Sequence, residues 1–233
     1  MTTYAALRQA PRAGGRPQNE RLTLPVSAAF AGGVFMLLTY SQGWEMPLTG
    51  EEAEASQSAL LRALYFPAYA VSLALAAAIP WTAFRALVRQ PFLVVILLIV
   101  GASLLWSVSP DQTMRRIVAN YCTTLSGVVL AARWRWASLA EVIATAFAIL
   151  AVCSLFTGLF VPSIGRMATL FPGAWRGLWP EKNAMGSNMA FAFVACASAA
   201  ILNPRRMKFW WAMAALSFLL LIFSTSKTSL VSL

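Results

Sequence analysis

Three clusters of residues in this chain have the types and spacing to do chemistry. The first runs Trp106-Ser107-Val108-Ser109-Pro110-Asp111-Gln112-Thr113-Met114-Arg115-Arg116. Pro tolerates the first turn of a helix and Asp complements the positive end of the helix dipole, so Pro110 and Asp111 predict a helix start. Arg115 and Arg116 then fall early in that helix. The second cluster runs Trp175-Arg176-Gly177-Leu178-Trp179-Pro180-Glu181-Lys182-Asn183-Ala184-Met185-Gly186. It gathers cations, a carboxylate, an amide and two indoles just ahead of a predicted helix. Helix N-termini present free N–H groups and positive potential, which suits a phosphate or another anion. The third, Ser224-Thr225-Ser226-Lys227-Thr228, is rich in hydroxyls and carries one Lys. Each has a plain alternative. Arg115 and Arg116 fit interfacial snorkelling. The second cluster fits a re-entry loop whose Trp pair marks the membrane interface, and the third fits a capped helix start with a snorkelling Lys.

Other chemistries are excluded by count. The 233 residues contain no His. Acid–base work by imidazole, His metal sites and Ser-His-Asp triads are therefore ruled out within the chain. Cys122, Cys153 and Cys196 lie far apart in apolar segments and form no CxxC pair, so they read as small apolar core residues. No GxGxxG or GxxxxGK[ST] string supports nucleotide binding. Basic residues are distributed between apolar stretches rather than along one face, which argues against a nucleic-acid partner.

The elements that must position the three clusters follow from composition. Hydrophobic residues make up 59% and charged residues 11% of the chain, and mean hydropathy is +0.67. A soluble domain carries roughly 25% charged residues, and disorder needs low hydrophobicity and high charge. Neither fits. The expected fold is an all-α, polytopic transmembrane helix bundle, because backbone polar groups in lipid must pair within helices. Seven spans are predicted, over Leu22–Tyr40, Ala63–Trp81, Phe92–Val108, Ile117–Ala132, Leu139–Val161, Ala184–Leu202 and Phe209–Phe223. The start of an eighth follows in Leu230–Leu233. All nine Trp fall at or just beyond predicted span ends, where an indole is expected to rest in the headgroup zone.

Residues 1–21 form a basic tail, and 22–233 a transmembrane helical domain. The first apolar run is long and lacks a good cleavage site, so it reads as an uncleaved anchor. With the N-terminus inside, the inner side holds eleven basic residues (Arg8, Arg12, Arg16, Arg21, Arg85, Arg89, Arg133, Arg135, Arg205, Arg206 and Lys208) against Glu20 and Glu141. The outer side holds seven basic residues against six acids, which leaves +9 inside and +1 outside. The positive-inside bias therefore predicts a cytoplasmic N-terminus. It also puts Arg115, Arg116, Arg176, Lys182 and Lys227 on the outer face. Cations kept there against the bias need a compensating reason. A diphosphate headgroup, clamped by Arg forks and a Lys point charge, supplies one.

The string Trp-Arg-Gly-Leu-Trp-Pro-Glu-Lys-Asn-Ala-Met-Gly, followed by a span and then Ser-Thr-Ser-Lys-Thr-Ser, resembles the O-antigen ligase family, and within it the exopolysaccharide polymerase-type branch. The upstream Trp-Ser-Val-Ser-Pro-Asp-Gln-Thr-Met-Arg-Arg resembles the same branch. The resemblance covers about residues 93–233. It implies a multi-pass protein of the bacterial inner membrane that polymerises or transfers oligosaccharide repeats carried on a polyprenyl diphosphate. No metal or cofactor is implied. Arg115 or Arg116, Arg176, Lys182 and Lys227 would face the diphosphate, while Asn183 and Gly186 would shape the turn into the sixth span. Glu181, the only carboxylate of the second cluster, stands where relatives often carry His and is the candidate base. The family's large outer loop and further helices would lie beyond Leu233, so the chain reads as an N-terminal portion, either a fragment or a truncated product. Two other functions fit parts of the sequence. A non-catalytic regulator or assembly subunit of a polysaccharide export system could pack against partner helices through Ala70, Ala74 and Ala78. A transporter would need a mid-membrane ionisable residue, and the only acidic candidate, Glu141, lies near a span end beside Arg133 and Arg135.

Overall fold

The computed structural model describes residues 25–49, 59–168 and 171–231. The basic tail over 1–21, Leu22–Leu24 of the first predicted span, and the acids Glu51, Glu52 and Glu54 lie outside the described residues. Those described are helical apart from turns and one isolated antiparallel bridge, between Arg166 and Trp175. In chain order the helices are α1 (Val26–Tyr40), α2 (Glu45–Thr49), α3 (Ala59–Ala78), α4 (Pro80–Val88) and α5 (Pro91–Ala102, continued by a 3-10 turn over Ser103–Trp106). There follow α6 (Pro110–Arg133), α7 (Trp136–Phe160), α8 (Pro162–Gly165), α9 (Lys182–Leu202), α10 (Met207–Phe223) and α11 (Lys227–Val231).

Four starts share a local cause. Pro80, Pro91, Pro110 and Pro162 occupy first-turn positions of α4, α5, α6 and α8, where the missing N–H costs nothing. Asp111 stands in the first turn of α6, as its sequence predicts.

All seven predicted segments fall on helices, but not all of those helices have the length and composition of a span. Three do: Trp136–Phe160, Lys182–Leu202 and Pro204–Phe223. Ala63–Ala78 with Pro80–Val88 makes a fourth if the bent pair counts as one. That pair departs from the predicted second span. The helix stops at Ala78 instead of running through Trp81, and the chain turns by 98°. Pro80 is the cause, because it disfavours helical geometry at Ile79, whose φ and ψ are −137° and 49°. Val26–Tyr40 and Pro91–Trp106 are apolar but shorter. Helix α6 has the length, yet it carries Asp111, Arg115, Arg116, Asn120 and Arg133. The described chain is thus an all-helical protein with three or four candidate membrane spans, as expected of a membrane protein.

The tightest packing joins α7, α9 and α10. One of their contact faces is built mainly from small residues. Ala140, Ala144 and Ala148 of α7 meet Cys196, Ala199 and Ala200 of α9 and Ala214 of α10. Small side chains let helix backbones approach closely, which is how apolar helices gain contact energy in a solvent as apolar as themselves. Cys196 is buried there, Cys122 is half-buried and Cys153 faces outward. Helix α1 bridges this core to α3 and α6 through Ala29, Val34 and Met36, which pack with Leu75, Val129 and Val142. A buried hydroxyl pair, Ser72 with Ser126, ties α3 to α6 and is joined by Tyr40 of α1. Of the predicted alanine stripe on α3, Ala70 and Ala74 are exposed and Ala78 is buried.

Candidate functional site

The site is assembled by the segment between α7 and α9, which does not run over the surface as a simple re-entry loop. Helix α7 ends at Phe160, and α8 turns back onto it. The turn needs two glycines in contact: a Cβ on Gly165 would lie 2.5 Å from the backbone of Thr157 and Gly158. Gly158 in turn leaves room for the Trp175 ring, which a Cβ there would meet at 2.2 Å. Met167 and Ala174 pair across a short hairpin (2.9 Å), with Gly173 at a positive φ of 84°. Trp175 then donates its backbone N–H to Phe223 O (3.2 Å) and packs on the Phe223 ring, with centroids 5.0 Å apart.

Arg176 is the keystone of this fold-back. It is 3% exposed. Its Nε donates to Ile164 O (2.8 Å) and its Nη2 to Ser163 O (2.8 Å), while its backbone N–H donates to Gly165 O (2.9 Å). The guanidinium fork expected against a diphosphate is therefore turned inward and closes the C-terminal end of α8. Carbonyls at a helix end lack intrahelical partners, which explains why a cation is held there. Gly177 follows with φ of 60°, and its missing Cβ makes room for Ser154, whose Oγ is buried without a hydrogen-bond partner. Trp179 is 2% exposed and donates its indole N–H to Ser41 O at the end of α1 (2.8 Å). Trp175, Trp179 and Trp210 are thus buried within protein rather than anchored in a headgroup zone. Trp179 and Trp210 lie near helix starts and Trp175 in the connecting segment, but the apolar body of each indole finds protein, not lipid.

The second and third clusters converge. Helix α10 ends at Ser224, whose Oγ donates to Leu221 O (2.7 Å), and Thr225 takes a positive φ of 53°. This break turns Ser226 toward α9, where it donates to Asn183 Oδ1 (3.1 Å). Ser226 and Ser229 hydroxyls are 2.9 Å apart, and Ser187 approaches Ser229 at 3.4 Å. Gly186 permits the approach, since a Cβ there would come within 2.7 Å of Ser226 Cβ.

Around this polar knot the charged groups are solvent-facing. Glu181 is the N-cap residue of α9, exposed, and its carboxylate makes no capping bond to the helix amides. Lys182 lies over the Phe171 ring, with Nζ 3.5 Å from its centroid. Lys227 is exposed at the start of α11. The first cluster is elsewhere. Arg115 and Arg116 are exposed on the early turns of α6, which packs mainly on α3 and α4 rather than on α9 or α10.

The structure thus brings Glu181, Lys182, Asn183 and Lys227 to one end of the α9–α10 pair, with Arg176 buried in the preceding segment as a scaffold. It leaves Arg115 and Arg116 apart. Sequence reasoning had Ser226 in the third cluster and Gly186 at the turn, but it missed Ser229, Ser187 and Ser41 as partners, and Gly158 and Gly165 as packing glycines. Gly158, Gly165 and Gly186 were the available signal, because each is a small residue at a helix end or crossing. Arg166, whose guanidinium lies 5.2 Å from the Trp175 centroid and donates from Nε to Gly158 O (2.9 Å), was also unforeseen as a loop brace. Among the described residues no three of His, Cys, Asp and Glu gather closely enough to hold a metal ion. The arrangement has two ammonium groups, an amide, uncapped helix amides and one carboxylate, which suits holding an anion beside a proton acceptor. No protein-family model, curated protein or solved structure matches the chain.

Proposed function

We propose that this protein is a seven-span, N-in protein of the bacterial inner membrane, of the O-antigen ligase family and its exopolysaccharide polymerase-type branch. It would act on polyprenyl-diphosphate-linked oligosaccharides at the outer face. The observation that carries the reading is the convergence of Trp175–Gly186 with Ser224–Ser229, two strings 38 or more residues apart, on one polar knot with cations at its rim. In this reading Lys182 and Lys227 hold the diphosphate with the free amides at the start of α9. Arg176 positions the segment and does not touch the headgroup. The acceptor hydroxyl attacks the anomeric carbon, the bond to the lipid diphosphate breaks, and Glu181 accepts the hydroxyl proton. The diphosphate leaves with the electron pair, its charge held by the two Lys. Arg115 and Arg116 would contact a more distant part of the lipid-linked substrate. Other polysaccharide export proteins are the expected protein partners.

The test is Lys182→Ala with Lys227→Ala, read as polymer yield and chain length in cells and as consumption of lipid-linked oligosaccharide by purified protein in liposomes. Loss of both readouts by about tenfold or more is expected from removing two charge-assisted contacts. Undiminished consumption would sink the diphosphate role.

A second reading is a non-catalytic assembly subunit of an export system. The exposure of Ala70 and Ala74 on α3 favours it, since small exposed residues at helical spacing suit a partner helix. Co-purification with export components, lost on Ala74→Leu, without any substrate turnover would select it.

A further inference from the structure

A second cavity system lies among α3–α6, away from the α9–α10 site, and its cause is the 98° bend after Ala78. The bend swings α4 across the bundle toward α6, and α5 follows without burying a single residue. A wedge is left between them. Its larger part, about 750 Å³ and open on one side, is walled by Leu73, Phe84, Leu87, Leu97, Leu125 and Val128. A second compartment of about 550 Å³ shares Thr124 and Val128 with it and reaches Arg89 and Gln90. Gly127 widens this part, because a Cβ there would meet nothing within 4 Å. Both volumes are in the range of ligand pockets, about 300–1,000 Å³.

The chemistry changes along the slot. The larger part is lined by apolar side chains apart from Tyr121 and Thr124. The other end has one guanidinium, Arg89, at the C-cap of α4, and the amide of Gln90 at the N-cap of α5. No side chain bonds to the first amides of α5, so their N–H groups and the positive helix end add to the potential of Arg89. The only acid between residues 59 and 135 is Asp111, in the first turn of α6, whereas the slot follows the later turns of that helix. Arg85, one turn earlier on α4, and Arg133, next to the lining residue Ala132, add positive charge near this end. An elongated apolar slot with a cationic end is complementary to an anionic amphiphile.

We infer that the slot holds an acyl chain of an anionic phospholipid, with its phosphodiester on Arg89. Basic pockets between membrane helices bind anionic head groups in this way. The site is separate from the Lys182–Lys227 end and does not depend on the function proposed for it.

The test uses the purified protein in phosphatidylcholine nanodiscs and phosphatidylglycerol as the probe. Retained lipid is counted by native mass spectrometry, and fold is monitored by gel filtration. One retained phosphatidylglycerol, preferred over phosphatidylcholine, is expected. Arg89→Gln should weaken the preference about fivefold, the worth of one Arg at a membrane surface. Gly127→Leu, which projects into the slot, should lower retention of phosphatidylglycerol with Arg89 intact. If Gly127→Leu does not fold, the exposed Arg89→Gln decides alone. No preference over phosphatidylcholine, or a preference that Arg89→Gln leaves unchanged, overturns the inference. So does displacement of phosphatidylglycerol by an equal amount of a polyprenyl phosphate, which would assign the slot to the carrier lipid.

Discussion

Helices α5 and α7 are both strongly apolar, yet they relate to the rest of the molecule in opposite ways. Helix α5, Pro-Phe-Leu-Val-Val-Ile-Leu-Leu-Ile-Val-Gly-Ala, buries nothing. Helix α7 buries Ala140, Ala144, Ala146, Ala148, Ala151, Ser154 and Gly158 among others. The more hydrophobic of the two is the less buried. In water this would be a paradox. In a bilayer, large aliphatic side chains gain nothing by leaving lipid, and helices associate through close backbone approach and packing. Small residues at the helix crossings set this core apart, with large side chains such as Met185, Met189 and Leu220 filling the space beside them. The same rule separates the α7–α9–α10 core from the open wedge among α3–α6.

Four tests would break or sharpen this contrast. The largest effect is expected from Gly165→Val, because the atoms its Cβ would strike at 2.5 Å are backbone and cannot rotate away. A loss of about 3 kcal/mol or more is expected, seen as loss of the monodisperse peak in detergent. Arg176→Met should cost about 1–3 kcal/mol by leaving the Ile164 and Ser163 carbonyls without a donor. Faster proteolysis within segment 161–181 would report it, and Arg176→Lys should rescue only in part, since Lys lacks the fork. Leu220→Ala against Leu98→Ala tests the comparison directly. Leu220 is fully buried and Leu98 is 66% exposed. The first should cost about 2 kcal/mol in denaturant unfolding, a cavity cost, and the second no more than about 0.5 kcal/mol. Equal losses would refute the division into core and wedge. The smallest effect is expected from Gly127→Ala, which meets open space inside a helix and should stabilise by about 0.5–1 kcal/mol in the same titration.

Local features of the chain were legible in sequence. Pro110 and Asp111 announce the start of α6 because first-turn preferences depend on a few neighbouring atoms. The ends of α7, α9 and α10 fall within a few residues of the predicted limits, since apolar runs are interrupted there by Trp, Asn and Ser. What was not legible depends on distant contacts. Nothing local distinguishes an exposed Trp at a helix end, such as Trp106, from one that plugs a junction, such as Trp179. Arg176 resembles any outer-loop cation until Gly165 brings the carbonyls of α8 under it. Pro80 was a visible warning against a continuous second span, but the direction of the turn is set by the packing of α4 on α6. For the candidate site, Lys182, Asn183 and Lys227 were identifiable by type, whereas the serines that join them became evident only through the break at Thr225.

The bond from Trp179 to Ser41 has a consequence for how the protein is made. Its two ends are separated by 138 positions in the chain. Helix α1 leaves the ribosome early, but the indole that closes its end emerges only after most of the later helices. Until then the Ser41 carbonyl and the gap beside Gly43 must wait without their final occupant. This end of the bundle is therefore closed only late in synthesis, and a chain stalled before residue 179 would expose an unfinished junction to quality-control proteases.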